Sequence, residues 1–187
     1  MSQTTINAGG QSVGVAGQIA DSAEGRDVVS GFNKDPGSAQ IPFGAGLRVV
    51  GPNGDAFGLP TGFSTTSEVA GINVFNYNHF RQGAADPAGN FAGDMGGSGL
   101  LANAGMQVLR EGRVLVPVQD TVRAGDRAFC MGIPTGTLWA GLWAGSGYGG
   151  SYHIDCTRQG VFRSATFTAA DGTTKVAVLE VDFTNKA

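Results

Sequence analysis

The segment that most constrains the fold runs from residue 105 to residue 129, GMQVLREGRVLVPVQDTVRAGDRAF. Its two apolar runs, Met106 to Leu109 and Val114 to Val118, contain the β-branched residues that are typical of strands. Residues 110–113 between these runs are three charged residues and a glycine, and they predict a tight corner. A second corner is predicted at residues 123–126, where Gly125 precedes Asp126. The segment therefore predicts consecutive short strands joined by turns.

The same pattern of strands and turns continues on both sides of that segment. Asn53-Gly54 is the strongest short-range signal for a β-hairpin, and residues 69–77, VAGINVFNY, are β-branched and aromatic. A further strand is expected at residues 127–131, and two more are expected to join at Asp171-Gly172. In the last strand, Ala177, Leu179, Val181 and Phe183 alternate with Val178, Glu180 and Asp182, which is the period of a half-buried strand.

These patterns predict an all-β protein with about seven to nine short strands, arranged as a small β-barrel or β-sandwich. No segment shows the apolar period of an amphipathic helix, and no internal repeat is visible. Residues 1–40 are rich in Gly, Ser, Asn and Asp and are expected to form an extended N-terminal arm. Residues 41–187 are expected to form a single β domain with long Gly-rich loops at about 83–105 and 132–152.

Composition excludes several partners. Glycine accounts for 32 of the 187 residues, and charged residues for only 14%, against roughly 25% in an average soluble domain. The 12 Lys and Arg residues form no basic run that would neutralise phosphates, so nucleic-acid binding is not expected. Residues 128–154 carry no charged side chain, but their glycines suit a membrane span poorly, so no membrane association is expected. A surface this neutral is typical of a contact surface, because interface cores are depleted of charge.

The two cysteines, Cys130 and Cys156, lie on either side of the uncharged stretch. The chain begins without the basic and apolar regions of a secretory signal, so reduced thiols are the default interpretation. The two thiols would also be able to face each other across adjacent strands and to form a disulfide after release from the cytosol. The sequence leaves this question open.

Two short motifs resemble chemical sites. Residues 97–102, GSGLLA, match a dinucleotide-binding fingerprint, but no strand leads into them and Gly105 interrupts any following helix. In YHIDC, a strand would place His153 and Asp155 on one side and Cys156 on the other, which argues against a paired nucleophile and base. The two His and two Cys residues lack the spacing of a metal site. We therefore expect no enzyme activity, no cofactor and no metal.

Trp139 and Trp143, in LWAGLW, form an aromatic pair within the uncharged stretch. They would either fill the core or anchor an interface, where Trp is enriched at the energetic centre. Gly on both sides and the lack of a strand pattern around them favour the interface. Both tryptophans are therefore expected at a contact with another subunit or another protein.

Several segments, taken in order, resemble the structural cement proteins of tailed bacteriophages. VGVAGQIAD is similar to the family's opening segment, IPFGAGLRVV to its first strand, and VAGINVF to a later strand. QVLREGRVLVPVQDTVRAGDRAF is similar to the family's NVLR-G-V-V-V segment followed by V--GD-V, and VAVLEVDF is similar to its closing strand. The resemblance spans nearly the whole chain, although the loop at 83–105 and the Trp-bearing stretch at 135–152 depart from it.

The resemblance implies a virion protein without enzyme activity that is assembled in the host cytoplasm. It would bind the exterior of an icosahedral capsid, usually as a homotrimer, and clamp neighbouring copies of the major capsid protein together. On this basis we expect the arm to contact the capsid or a neighbouring subunit through its mixed apolar and polar residues. These candidate contact residues are Val13, Val15, Gln18, Ile19 and Asp21, in addition to the two tryptophans.

Aromatic residues and long loops also suit an alternative function, that of a virion fibre or spike β-domain that binds host-surface glycans. A capsid-binding protein would be present in hundreds of copies per particle, whereas a fibre or spike part would be present in a handful.

Overall fold

The computed structural model describes residues 14–20, 27–36, 40–62, 69–75, 99–101, 103–136, 138–145, 152–170 and 172–184. This part of the chain contains thirteen strands and no helix, so the predicted all-β class is confirmed, although the strands are more numerous than expected. In chain order they are β1 (Asp27–Asn33), β2 (Gln40–Pro42), β3 (Gly46–Val49), β4 (Ala56–Gly58), β5 (Gly71–Val74), β6 (Gly99–Leu101), β7 (Gly105–Pro117), β8 (Phe129–Met131), β9 (Trp143–Ala144), β10 (His153–Asp155), β11 (Gly160–Phe162), β12 (Phe167–Thr168) and β13 (Lys175–Asp182).

The centre of the fold is a closed five-stranded barrel in the order β1-β4-β3-β5-β7. The barrel closes because the N-terminal half of β7 pairs with two strands, β5 and β1. Of the two predicted architectures, the barrel is therefore the observed one. The first barrel strand, β1, lies within residues 1–40, which were expected to be an extended arm; this part of the expectation is wrong.

Strand β7 is the longest strand and corrects the prediction of a corner at residues 110–113. It runs without a break over 13 residues from Gly105 to Pro117. Its pairing with β1 shifts by one residue at Arg110, and Gly112 adopts a φ of 130°, a conformation that side chains disfavour. The charged run therefore forms an irregularity inside one strand, and its arginines find acidic partners on the neighbouring strands.

Three other local predictions are confirmed. Asn53-Gly54 lies in the hairpin turn between the antiparallel strands β3 and β4, with Gly54 at a φ of 75°. The turn at residues 123–126 is held by a hydrogen bond from Asp126 N to Arg123 O. The alternating residues of β13 point as expected, because Ala177, Leu179, Val181 and the following Phe183 are buried.

Beyond the barrel, β7 continues into a pairing with β13, which in turn pairs with β11 and β12. A separate three-stranded sheet, β10-β8-β9, covers this extension. The two contribute side chains to one apolar cluster, hereafter the main apolar cluster, which includes Val114, Leu179, Trp143 and Ile154. Strand β9 lies within residues 132–152, which were expected to form one long loop; the loop prediction is wrong for this part.

A two-stranded ribbon, β2-β6, attaches to the barrel through two fully buried asparagines. Asn33 Nδ2 donates to the Leu100 carbonyl of β6, and Asn73 Nδ2 donates to the Ile41 and Pro42 carbonyls of β2. Strand β6 lies at the end of the predicted loop 83–105 and within the GSGLLA motif, where a strand takes the place of the helix that a dinucleotide site requires. Residues 76–98 lie outside the described part of the chain.

Candidate contact surfaces

Residues 14–20, hereafter the docked segment, lie along the C-terminal half of β7. Gly17 N donates to Leu115 O at 2.7 Å, Leu115 N donates to Gln18 O at 2.9 Å, and Ala20 N donates to Arg113 O at 2.9 Å. Because the other edge of this part of β7 pairs with β13, the docked segment acts as an additional strand. It therefore completes the hydrogen bonding of β7 on the edge that β13 leaves open.

The docked segment also contacts three further parts of the chain. Phe75 N donates to Gly17 O at 2.8 Å, and Ala170 N donates to Gly14 O at 2.9 Å. A Cβ atom at Gly14 would lie 2.3 Å from Leu115 Cδ1, and one at Gly17 would lie 2.8 Å from Phe43 Cβ. The two glycines therefore allow the backbone to approach its neighbours more closely than any other residue would.

The docked segment contains three of the arm residues that were expected to contact a partner. These are Val15, Gln18 and Ile19, and all three are half-buried. Gln18 turns back on the segment, because its Oε1 accepts a hydrogen bond from Val15 N at 3.2 Å. Ile19 packs against the main apolar cluster. These side chains thus make contacts within the subunit and keep part of their surface exposed. Val13 and Asp21 lie outside the described residues.

The two tryptophans occupy different environments. Trp143 is fully buried in the main apolar cluster, and its indole Nε1 donates to the Gly44 carbonyl at 2.9 Å. A side chain without exposed area has no surface to offer to a partner, so the expectation of a contact is not supported for Trp143, which is a core residue. Trp139 is only half-buried. It packs against a second, smaller apolar cluster, which includes Ile41, Leu47 and Leu100.

Trp139 belongs to a group of partly or largely exposed, uncharged residues, hereafter the uncharged surface, which comprises Ile133, Pro134, Leu138, Trp139 and Tyr152. Thr135 and Leu138 exchange two backbone hydrogen bonds across a tight turn, and no atom lies within 4 Å of a Cβ built at Gly136, so this turn stands in open space. Tyr152 is joined to it by a hydrogen bond from Ile133 N to Tyr152 O, and its side chain is 49% exposed. Tyr152 was not singled out from the sequence.

A second exposed aromatic residue, Phe32 of β1, was also missed. It is 50% exposed and is flanked by small residues on both neighbouring strands, Ala56 of β4 and Gly105 of β7. The β-prone run VVSGF at residues 28–32 carried a strand signal, but the surrounding Gly and polar residues led to the prediction of an arm.

The charged residues form ion pairs on the outside of the sheet. Glu180 of β13 contacts both Arg113 and Arg163, with the Arg163 Nη2 to Glu180 Oε1 distance at 2.6 Å. The hydrogen bond from Arg163, with a further bond from Arg113, lowers the pKa of the Glu180 carboxyl. Asp27 pairs with Arg110 at 3.5 Å. These five charged residues are thus compensated by one another within the subunit.

His153 and Asp120 lie near each other where β10 meets the chain that follows β7. Burial lowers the pKa of the His153 imidazole and raises the pKa of the Asp120 carboxyl, which also accepts a hydrogen bond from the backbone of Gly145. His153 Nε2 lies 3.4 Å from Gln119 Oε1. His153 is half-buried and Asp155 is exposed, whereas Cys156 is in the core, so these three residues do not form a paired nucleophile and base.

Both cysteines are free and buried in the main apolar cluster. Burial raises the pKa of the Cys156 thiol to about 12 and the pKa of the Cys130 thiol well above its ordinary value. Such thiols are protonated at neutral pH and therefore poor nucleophiles and poor metal ligands. Among the residues that the structure describes, no three His, Cys, Asp or Glu side chains lie close enough to hold a metal ion.

A comparison with protein-family models matched residues 2–181 to the structural cement protein family of E217 gp24 and Pam3 gp6. The chain belongs to this phage cement protein family. The match includes the segments from which the resemblance was inferred, except for the last two residues of the closing segment, Asp182 and Phe183. A search of curated proteins found no match.

Phage cement proteins are structural proteins, not an enzyme class. Membership therefore assigns a structural role in a phage to this chain. A barrel with a partly exposed, uncharged surface is consistent with such a role, since structural contacts require shape and neutrality in place of reactive groups. None of the described segments is a helix with the length and apolar character needed to span a bilayer.

Proposed function

We propose that this cement protein binds the exterior of an icosahedral phage capsid and stabilises contacts between copies of the major capsid protein. It would do so as a homotrimer, after assembly in the host cytoplasm. The observation that carries the proposal is the family match over residues 2–181. The exposed, uncharged character of the surface around Tyr152 supports it, because the centre of a protein–protein interface is depleted of charge and enriched in aromatic residues.

The uncharged surface is the best-supported capsid contact among the described residues. Tyr152 is about half exposed, Trp139 is half-buried, and the turn at Gly136 has open space around it. An open turn accompanied by exposed aromatic side chains is able to enter a shallow depression on a partner. Many such contacts, repeated over a symmetric shell, would give high avidity even if each one is weak.

The proposal is tested by adding the purified protein to phage heads that lack it and measuring the bound amount by sedimentation. Tyr152→Ser is expected to weaken binding, because it removes an exposed aromatic side chain from the contact. Phe32→Ser is the matched control, since Phe32 is exposed to nearly the same extent, 50% against 49%, on β1 and outside the uncharged surface. Full binding by the Tyr152 variant, or an equal loss with the Phe32 variant, would refute the assignment of this surface.

The same particles separate the proposed function from the alternative of a fibre or spike domain that binds glycans. Quantitative gel analysis is expected to give hundreds of copies per head, and mass measurement of the free protein is expected to give a trimer. A handful of copies per particle would favour the fibre or spike. Binding to an immobilised glycan array, with no binding to heads, would overturn the capsid proposal as a whole.

A further inference from the structure

The groove that holds the docked segment is built from four parts of the chain that are distant in sequence. Its walls are the Arg113–Leu115 edge of β7, the Phe43-Gly44 corner with Phe75, and Ala170 in the turn between β12 and β13. The docked segment contributes no strand to the closed barrel β1-β4-β3-β5-β7. The barrel therefore closes without the docked segment, which occupies a groove on its outside and on the neighbouring strands.

The occupant fits the groove through its backbone. Five backbone hydrogen bonds between 2.7 and 2.9 Å join residues 14–20 to the walls, and the absence of side chains at Gly14 and Gly17 permits the close approach to Leu115 and Phe43. Backbone pairing of this kind is the usual mode by which a segment of one chain adds to the sheet edge of another. An identical segment from a second copy would make the same contacts.

The connection to the barrel is longer than the distance it has to span. Ala20 is bonded to Arg113, and Asp27 is paired with Glu111, so the two attachment points are two residues apart along β7, which is about 7 Å. Residues 21–26 join them, and six residues are able to span roughly 20 Å when extended. The connection therefore has roughly 13 Å of reach beyond what the closed subunit uses, so a groove of a neighbouring copy within that distance is accessible to the docked segment.

From these observations we infer that the docked segment is exchanged between copies of this chain, so that residues 14–20 of one copy fill the groove of a neighbouring copy. Exchange of an identical element is a low-cost route to an oligomer, because every contact of the closed subunit is kept. The partner copy then supplies the strand that completes β7. This inference does not depend on capsid binding, and its test uses the purified protein alone.

The pair Ile19 and Val114 provides a direct test. They form an antiparallel bridge flanked by the hydrogen bonds of Ala20 to Arg113 and of Leu115 to Gln18, which makes them a non-hydrogen-bonded pair. Cα atoms in such pairs are about 4.5 Å apart, and this is within the range that a disulfide bridges. Both buried native cysteines are first replaced by alanine, so that only the introduced thiols react.

Two single variants in this background, Ile19→Cys on a tagged chain and Val114→Cys on an untagged chain, are co-expressed and oxidised with oxidised glutathione. Exchange is expected to give a covalent dimer of one tagged and one untagged chain on a non-reducing gel, because these two thiols never occur in one chain. Each single variant expressed alone is the control and is expected to give no such dimer. A double variant that closes only within one chain, together with no mixed dimer, would overturn the inference.

A second measurement decides the case in which neither thiol pair oxidises. Gly17→Ala places a Cβ atom 2.8 Å from Phe43 Cβ, whereas Gly54→Ala meets no atom within 4 Å, and the mass of the purified protein is measured for both variants. If the oligomer is held together by the exchanged segment, Gly17→Ala is expected to lower the mass towards that of the monomer and Gly54→Ala is not. An oligomer mass that Gly17→Ala leaves unchanged would contradict the inference.

Discussion

Trp143 donates its indole N–H to the backbone carbonyl of Gly44 across 2.9 Å in the fully buried core, which connects β9 to the corner that precedes β3. Trp143→Phe keeps the apolar bulk but leaves the Gly44 carbonyl without this donor. Since an unsatisfied buried polar group is costly, we expect a loss of about 1–3 kcal/mol in the free energy of unfolding, measured by urea denaturation.

Trp139→Phe is the control for this prediction, because Trp139 is half-buried and packs at the edge of the smaller apolar cluster. It is expected to lower the unfolding free energy less than Trp143→Phe does. Equal losses in the two variants would show that the hydrogen bond to Gly44 has no special weight.

Gly17→Ala is expected to displace the docked segment. The φ of Gly17 is 80°, and an added Cβ would lie 2.8 Å from Phe43 Cβ and 3.0 Å from two backbone nitrogens. Gly54→Ala is the matched control, because Gly54 has a φ of 75° and nothing within 4 Å of an added Cβ. Backbone strain is thus common to both variants, while the steric overlap belongs to Gly17 alone.

The measurement for these two variants is the hydrogen exchange rate of the Leu115 amide, with the unfolding free energy recorded in parallel. Faster exchange at Leu115 is expected for Gly17→Ala and not for Gly54→Ala. The close fit of the segment would be disproved by unchanged exchange at Leu115 in both.

Glu180 is expected to make the protein sensitive to acid. Its hydrogen bond from Arg163 lowers its pKa in the folded state, so its contribution is present above the pKa of the unfolded chain and is lost as the pH falls through the folded pKa. The Glu180 side chain is half-buried at the surface of the sheet, where solvent screening limits the contribution to about 1 kcal/mol or less. Glu180→Gln is therefore expected to flatten the decline of the unfolding free energy below roughly pH 4.5.

Glu111→Gln is the comparison for this titration, because it removes one carboxylate from the same sheet and leaves Glu180 with Arg113 and Arg163. Urea denaturation at several pH values from acid to neutral provides the measurement. An unaltered pH profile in Glu180→Gln would count against the role of this ion-pair network.

Cys130 and Cys156 are expected to be unreactive until the protein unfolds. The pKa of Cys156 is raised to about 12 by burial, so almost no thiolate exists at pH 8, and the core excludes the reagent. A thiol-specific chromogenic reagent is expected to react slowly with the native protein and with two thiols after unfolding in guanidinium chloride. Two fast thiols in the native state would contradict the burial, and no thiols after unfolding would indicate a disulfide.

Local sequence patterns were sufficient for the strand class, the hairpin at Asn53-Gly54 and the buried face of β13. Each of these depends on a period of two or on a turn residue, and both act over a few neighbouring positions. The order of several short segments also sufficed for the family, since the match over residues 2–181 bears out the resemblance.

Long-range pairing decided the rest. Residues 110–113 resemble a turn locally, but Arg113 meets Glu180 from a strand far along the chain, so β7 continues through them. Trp143 lies in a glycine-rich context typical of a surface and is nevertheless buried, because the β8-β10 sheet folds onto the barrel extension. The groove for residues 14–20 has walls from four distant parts of the chain, and such a site exists only once non-local strands have paired.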